Sequence, residues 1–484
     1  MKPLTRSLLS SLLAFSAPAF MLRAQEPAGD PFVKGSPAAA SAAKAKEAES
    51  PDCFFVMDVY SLDKTDAAAV LESERGSAAR YRRVTDLMNA GKARLEILTA
   101  LATKSGQRAQ SESVDEVRFP SGFSETNHKE SVPDATEWSA RTLGDIVEME
   151  VVMGPDRRDY DLNLAPSHAR LAGFRDVVAK AGESVVTEPQ FESQKMTPVV
   201  GAVVGEPVYI GTFSPPTPLG IANGGAASPV WLAFVHVNVL KPSPEAAKTP
   251  VRPLDWTSMN LEYTCYSLDR ALAREILVTP GAPEAPWEKV QALLGKKEAR
   301  FEDMLTLKTR SGQRAATDAT QEMRYAAVSS TDPSRASDQN NRRATTAPSK
   351  EGEKSAAVTG TAGANRTEPD SKLTPGASVN TEVRNLGVSI ECEPVVRRDE
   401  VTVDINHVVQ SVTYPGDLKT PGAGEHYVPQ PIFQTRKLTT SQGVPVGRRV
   451  LVGTLNPPAS DGVSDQAGAG RVFLVFLRVT PNEP

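Results

Sequence analysis

The chain has 484 residues, a formal net charge of −5 and a sequence pI near 5.8, with charges of both signs scattered along it. That length exceeds what one hydrophobic core serves and leaves room for two or three domains. The dispersed, slightly acidic charge argues against nucleic acid or an anionic membrane surface as a partner.

The first residues read as an export signal. Lys2 and Arg6 precede an apolar run from Leu8 to Leu22, and small Ala24 offers a cleavage point, so residues 1–24 are assigned as a signal peptide. Ser10, Ser11, Ser16 and Pro18 interrupt this run, which falls short of the roughly 20 apolar residues of a spanning helix; no later stretch supplies a transmembrane helix. Residues 25–51, rich in Ala, Pro, Lys and Glu without apolar periodicity, form a flexible leader.

The first folded unit is expected over 53–240. Phe54 to Leu62 reads as a strand, and Asp63 caps a helix whose Ala67, Val70 and Leu71 form one face. A second helix carries Val84, Leu87 and Met88 and stops at Gly91. The pattern then changes to alternation: Leu95, Ile97, Thr99 and Leu101 lead to the turn Ser105-Gly106-Gln107-Arg108, from which a second strand runs to Phe119. After a polar loop at 120–137, strands are expected near 143–153, 157–165, 193–203, 206–213 and 229–240.

The same order returns. Ser105-Gly106-Gln107-Arg108-Ala109 recurs as Ser311-Gly312-Gln313-Arg314-Ala315, an offset of 206 (311 minus 105), which also sets Tyr60-Ser61-Leu62-Asp63 on Tyr266-Ser267-Leu268-Asp269 and Tyr81 on Trp287. A linker at 241–256 precedes a second copy at 257–484, whose helix with Trp287, Val290, Leu293 and Leu294 ends at Gly295. Its polar loop grows into an insertion at about 329–380, composed of Ser, Thr, Ala, Gly, Pro, Asn and charged residues and expected to be disordered. Beyond it, Gly144, Glu148, Glu150 and Asp161 meet Gly387, Glu391, Glu393 and Asp404 at an offset of 243 (387 minus 144). Gly205, Gly211, Thr212 and Trp231 meet Gly447, Gly453, Thr454 and Phe473 at 242 (447 minus 205). The expected fold class is α+β, with two homologous domains, each a short two-helix cap on a mainly antiparallel sheet.

Three pieces carry a family resemblance: Gly312-Gln313-Arg314 (copied from Gly106-Gln107-Arg108) after an apolar strand, Leu386-Gly387-Val388 through Glu393-Pro394, and Gly447 through Gly453. Their order resembles the conserved C-terminal domain of secretins, the outer-membrane channel subunits of type II and type III secretion and type IV pilus systems. The chain departs from that pattern in two ways. Gly211-Thr212 and Gly453-Thr454 stand where secretins have paired glycines, and the Val-Pro-x-Leu-Gly-x-Ile-Pro signature is missing from both copies. Gly453 and Val472 enclose 18 residues (472 minus 453 minus 1), including Asn456, Pro457, Pro458, Asp461 and Asp465. A membrane hairpin needs two strands of about 9 to 11 residues with apolar outer faces. The resemblance therefore implies a secretin-like fold without the membrane-inserting strands.

Glu148 and Glu150, repeated as Glu391 and Glu393, lie two apart on predicted strands and point to one face. They are the candidates for a cation or contact site, against the plainer reading of a solvated strand face. Arg108 and Arg314 either take a partner's carboxylate or set the hairpin by a local salt bridge. The five histidines are isolated and the three cysteines fall on apolar counterparts or in apolar strands, so no cofactor, metal site or catalytic group is assigned. The expected function is that of an exported, non-enzymatic interaction component, periplasmic or peripherally associated with the outer membrane, working through a protein partner or self-association. The alternatives are an exported hydrolase or carbohydrate-active enzyme, or a free periplasmic binding module.

Overall fold

The computed structural model describes residues 50–123, 135–178, 185–213, 229–240, 258–278, 284–328, 379–397, 401–418, 430–456 and 470–481. The signal peptide, the linker and nearly all of the leader and the insertion lie outside these residues.

The first copy opens with β1 (Asp52–Leu62), α1 (Lys64–Ser73), α2 (Ser77–Asn89), β2 (Ala93–Lys104) and β3 (Arg108–Phe123). It continues through β4 (Ala135–Met153), β5 (Asp159–Val178), β6 (Val185–Lys195), β7 (Val199–Val203), β8 (Val208–Phe213) and β9 (Val230–Val239). The second copy repeats that order: β10 (Met259–Asp269), α3 (Arg270–Val278), α4 (Ala285–Gly295), β11 (Ala299–Thr309), β12 (Ala315–Val328), β13 (Val379–Val396), β14 (Thr402–Asp417), β15 (Pro431–Pro445), β16 (Arg449–Leu455) and β17 (Arg471–Pro481). The architecture is α+β and mainly antiparallel, with β15 standing where the first copy has β6 and β7.

Both sheets run through the two copies. One has the order β11-β10-β17-β16-β2-β1-β9-β8, the other β12-β13-β14-β15-β3-β4-β5-β6 with β7 on β5. The first sheet is buried on both faces, which is why its strands read as continuous apolar runs. Cys53, Phe55, Met57 and Val59 of β1 face the second sheet, while Phe54, Val56, Tyr60 and Leu62 face the helices. Trp231, Ala233 and Val235 of β9 alternate in the same way with Leu232 and Phe234. The result is three layers: helices, inner sheet, outer sheet.

Local signals held at several positions. Asp63 caps α1 by accepting a hydrogen bond from Asp66 N at 2.7 Å. The predicted hairpin turns are duplicates in detail. Gly106 N donates to Val151 O and Gly312 N to Pro394 O, each at 2.7 Å, while Ser105 Oγ and Ser311 Oγ accept from Met153 N and Val396 N at 2.9 and 3.0 Å. The expected strand at 157–165 instead continues to Val178, and the stretch expected at 193–203 divides into β6 and β7. Pro166 explains both. It sits where the partner of β5 changes, from β7 at Asp159–Asn163 to β6 at Ser167–Val178, and this gap requires no N–H from it.

The helix ends differ between copies. α2 is followed by Gly91 at φ 71°, whereas the position equivalent in the second copy is Lys297, at φ 63°. A side chain there costs about 1 kcal/mol through its Cβ. Lys297→Gly is expected to raise unfolding stability by about that amount, measured as a higher urea midpoint at unchanged slope.

Candidate functional site

The two copies meet at a joint made of polar residues taken from both. In the outer sheet, β15 pairs with β3 along a continuous register from Phe433↔Glu116 to Thr439↔Gln110. In the inner sheet, β16 meets β2 at the single backbone register pair Gly453↔Leu101, and side chains do the rest. Thr454 Oγ1 accepts from Ala100 N at 2.7 Å, Ser111 Oγ donates to Thr454 O at 2.9 Å, and Asn456 Nδ2 donates to Thr99 Oγ1 at 3.2 Å. A Cβ on Gly453 would stand 2.8 Å from Ala100 O, so this motif glycine is what lets the strands approach.

Two charge clusters, one buried and one half-buried, flank that seam. In the first, α3 of the second copy reaches into the first copy. Arg274 Nε donates to Tyr60 OH at 2.5 Å and its Nη2 to Tyr81 OH at 2.7 Å; both hydroxyls donate onward to Asp58 Oδ2, at 3.1 and 2.9 Å. Asp58 is wholly buried and Arg274 nearly so. Burial first, and then the Asp58 carboxylate, push both tyrosine hydroxyls above their ordinary range, which keeps them protonated as donors. In the second cluster, Lys104 Nζ lies 2.6 Å from Asp404 Oδ2, and Arg397 bridges Asp404 at 2.6 Å and Asp52 at 3.1 Å.

The predicted site residues fall elsewhere, on the hairpin and strand ends of each copy. Arg108 pairs with Glu148 at 2.8 Å and Arg314 pairs with Glu391, so the candidate arginines and the first glutamate of each pair form one cross-strand contact. Glu148, Glu150, Glu391 and Glu393 are half-buried and alternate with buried Val147, Met149, Val151 and Cys392. The described residues bring no three His, Cys, Asp or Glu side chains together at metal-binding spacing. Gln107 N and Gln313 N close the hairpins onto Lys104 O and Arg310 O at 3.0 and 3.1 Å. Gly205 N and Gly447 N bond Val237 O and Val479 O at 2.8 and 2.7 Å in equivalent turns, and Gly211 occupies a bulge in β8. Gly144 and Gly387 share a close approach: a Cβ would lie 2.2 Å from Ser113 O or 2.1 Å from Ala319 O.

The copies also differ inside. A cavity of about 200 Å³ opens between the sheets of the second copy beside Val388, Ser411 and Phe473. The first copy fills the equivalent space with Asp145, His168 and Trp231; His168 Nδ1 lies 2.8 Å from Asp145 Oδ1, and its ring is tilted by 51° against that of Trp231 at 5.2 Å between centroids. The cysteines form no disulfide, and burial pushes each of the three thiols up to about 12.

The joint residues escaped the reading of single motifs. Their signal was nonetheless present in the repeat alignment, as charges held by one copy only: Asp58 against Thr264, Arg274 against Ala68, Asp52 against Ser258, Arg397 against Gly154.

No family model and no curated protein matches the chain. It is similar to solved structures of secretin complexes. A chain of the Klebsiella pneumoniae type II secretion system outer membrane complex is 10% identical over 52% of this chain and 45% of that one, with a TM-score of 0.23. Aeromonas hydrophila ExeD is 11% identical over 52% and 54%, TM-score 0.21. The InvG secretin domain β-barrel of the Salmonella SPI-1 injectisome is 11% identical over 66% and 88%, TM-score 0.22. The chain spans about half the length of the first two. TM-scores this low fix no shared arrangement, and the functional reading rests on this chain's own joint and edges. Among the described residues no helix is long and apolar enough to cross a membrane.

Removing one partner of a buried pair strands the other charge. Arg274→Ala is expected to cost roughly 3–5 kcal/mol. Asp58→Thr in that background should recover part of the loss, so urea unfolding of the two single variants and the double variant should give non-additive changes. Stability also falls in mild acid. Burial holds His407 down to about 3, so the unfolded chain takes its proton first, near 6.5, and stability drains as pH falls from there. Between pH 6.5 and 4.5 the native chain should lose roughly 1 kcal/mol per unit more than His407→Gln, in which Gln can still accept from Tyr263 OH.

Proposed function

We propose that this chain is an exported, non-enzymatic interaction component with a secretin-like build, serving as an accessory of an envelope secretion or pilus assembly. It acts in the periplasm or at the inner face of the outer membrane, through sheet edges rather than through a reactive cleft.

The observation that carries this reading is the continuity of both sheets through the joint. Each copy joins the other edge to edge, and the outermost strands keep apolar side chains in solvent, Phe301 and Met304 on β11 and Val199 and Val203 on β7. Exposed apolar edge strands template pairing with another chain. The polar cluster around Asp58 is sealed by Tyr81, Phe234 and His236.

Deleting the gene in its native host tests the reading. The expected result is loss of a defined set of exported proteins or of surface pili, restored by the native chain. Unchanged secretion and piliation together with loss of a hydrolytic activity towards envelope glycans would overturn it.

A further inference from the structure

The joint inside the chain is head to tail: the β16 and β15 side of the second copy meets the β2 and β3 side of the first. Such a heterologous contact leaves its two complementary surfaces unused at the ends. One end carries β8 with β6 and β7, the counterparts of β16 and β15. The other carries β11 and β12, the counterparts of β2 and β3. Among the described residues no strand pairs with the outer side of β8, β11 or β12.

We propose that a second copy of this chain docks there, repeating between chains the joint already present within one. This rests on the association reading above and names its partner. Four sets of residues support it.

The apolar positions come first. Leu95 and Leu98 of β2 are 8% and 0% exposed inside the joint, while their counterparts Phe301 and Met304 are 54% and 49% exposed. Large apolar side chains have been kept at these two positions, whereas buried Ile97 and Ala102 are matched by Asp303 and Lys308. Next come the hydroxyls that stitch β16 to β2. Thr454 is matched by Thr212, Ser111 by Thr317, and Ala100, whose N–H Thr454 receives, by Thr306.

The charges are more discriminating. Lys104 and Asp404, which pair at the internal joint, are matched by Arg310 and Asp161; both are exposed, at opposite ends of the molecule. Docking end to end brings this pair together with its signs preserved. Of the pairs on the half-exposed outer sheet, Arg384 with Glu116 is kept as Arg141 with Glu322, and Arg118 with Glu382 becomes Arg324, paired to Glu322 on its own strand, with Ser139. The Asp58 and Asp52 pairs are lost jointly. Asp58 with Arg274 becomes Thr264 with Ala68, and Asp52 with Arg397 becomes Ser258 with Gly154. Had only one partner changed, the contact between chains would bury an unpaired charge.

This pattern also fixes the order of copies. A first copy docked on another first copy would set Ala68 against Asp58 and leave the carboxylate without its arginine. A second copy on another second copy would bury Arg274 against Thr264. Strict alternation is the order that leaves the Asp58 and Arg274 positions either paired or both neutral, so a chain joins others through unlike ends.

The test uses the mature full chain, sized by light scattering across a concentration series. Assembly beyond the monomer is expected. Asp161→Arg, at an exposed position, should weaken it about tenfold, and Asp161→Arg with Arg310→Asp should bring it back. Thr212→Cys and Thr306→Cys proteins, mixed under oxidation, should give a disulfide-linked dimer that neither variant gives alone. A chain that stays monomeric at all concentrations, or an assembly indifferent to the Asp161 reversal, would overturn the proposal. A monomer that still supports secretion in the native host would overturn this docking and leave the functional reading standing.

Discussion

The wholly buried Asp58 carboxylate, held by two tyrosine hydroxyls and reached by an arginine from the other copy, is the constraint on which the rest of the molecule depends. A carboxylate taken out of water is tolerated only while its donors are in place. The two tyrosines come from β1 and α2 and the arginine from α3, so Asp58 Oδ2 is served from both copies in this relative placement. A buried ion pair is a weak source of net stability and a strong source of discrimination. The inner sheet needs that discrimination, because a single backbone register pair joins β16 to β2. The second cluster, Asp52, Arg397, Asp404 and Lys104, pins the opposite end of the seam.

The first helix cap and the hairpin turns were legible because each depends on chemistry within a few residues. Asp63 declares a helix start, and Ser105-Gly106-Gln107 a turn, whatever surrounds them. The lengths of β5 and β6 were not legible, since Pro166 looks like a terminator until the change of strand partner at that point is known. Nor was the joint. Arg274 is an ordinary helix residue by composition, and its partner Asp58 lies in the other copy; only the reciprocal loss of both charges at the matching positions marks them as a pair. The paired glutamates drew attention by spacing, whereas the structure gives Glu148 and Glu391 to the neighbouring hairpin arginines.

Divergence between the copies follows position along the sheets. Residues that set the backbone are kept twice, such as Gly144 and Gly387, each forced by a neighbouring carbonyl. Asp58, Arg274, Asp52 and Arg397 carry charge at the internal seam and their counterparts carry none, while Lys104 and Asp404 keep their signs as Arg310 and Asp161. The interior is freer: Trp231, His168 and Asp145 fill what Phe473, Ser411 and Val388 leave open.

Hydrogen exchange at β2 tests the central claim most directly. If the copies are locked by the joint, the amides of Leu98 and Ala100 open only with global unfolding, and peptides covering 93–104 should exchange as slowly as those covering β1. Rapid exchange there while β1 and β9 stay protected would show β2 behaving as a loose edge strand, and the joint would not be the element that holds the molecule together.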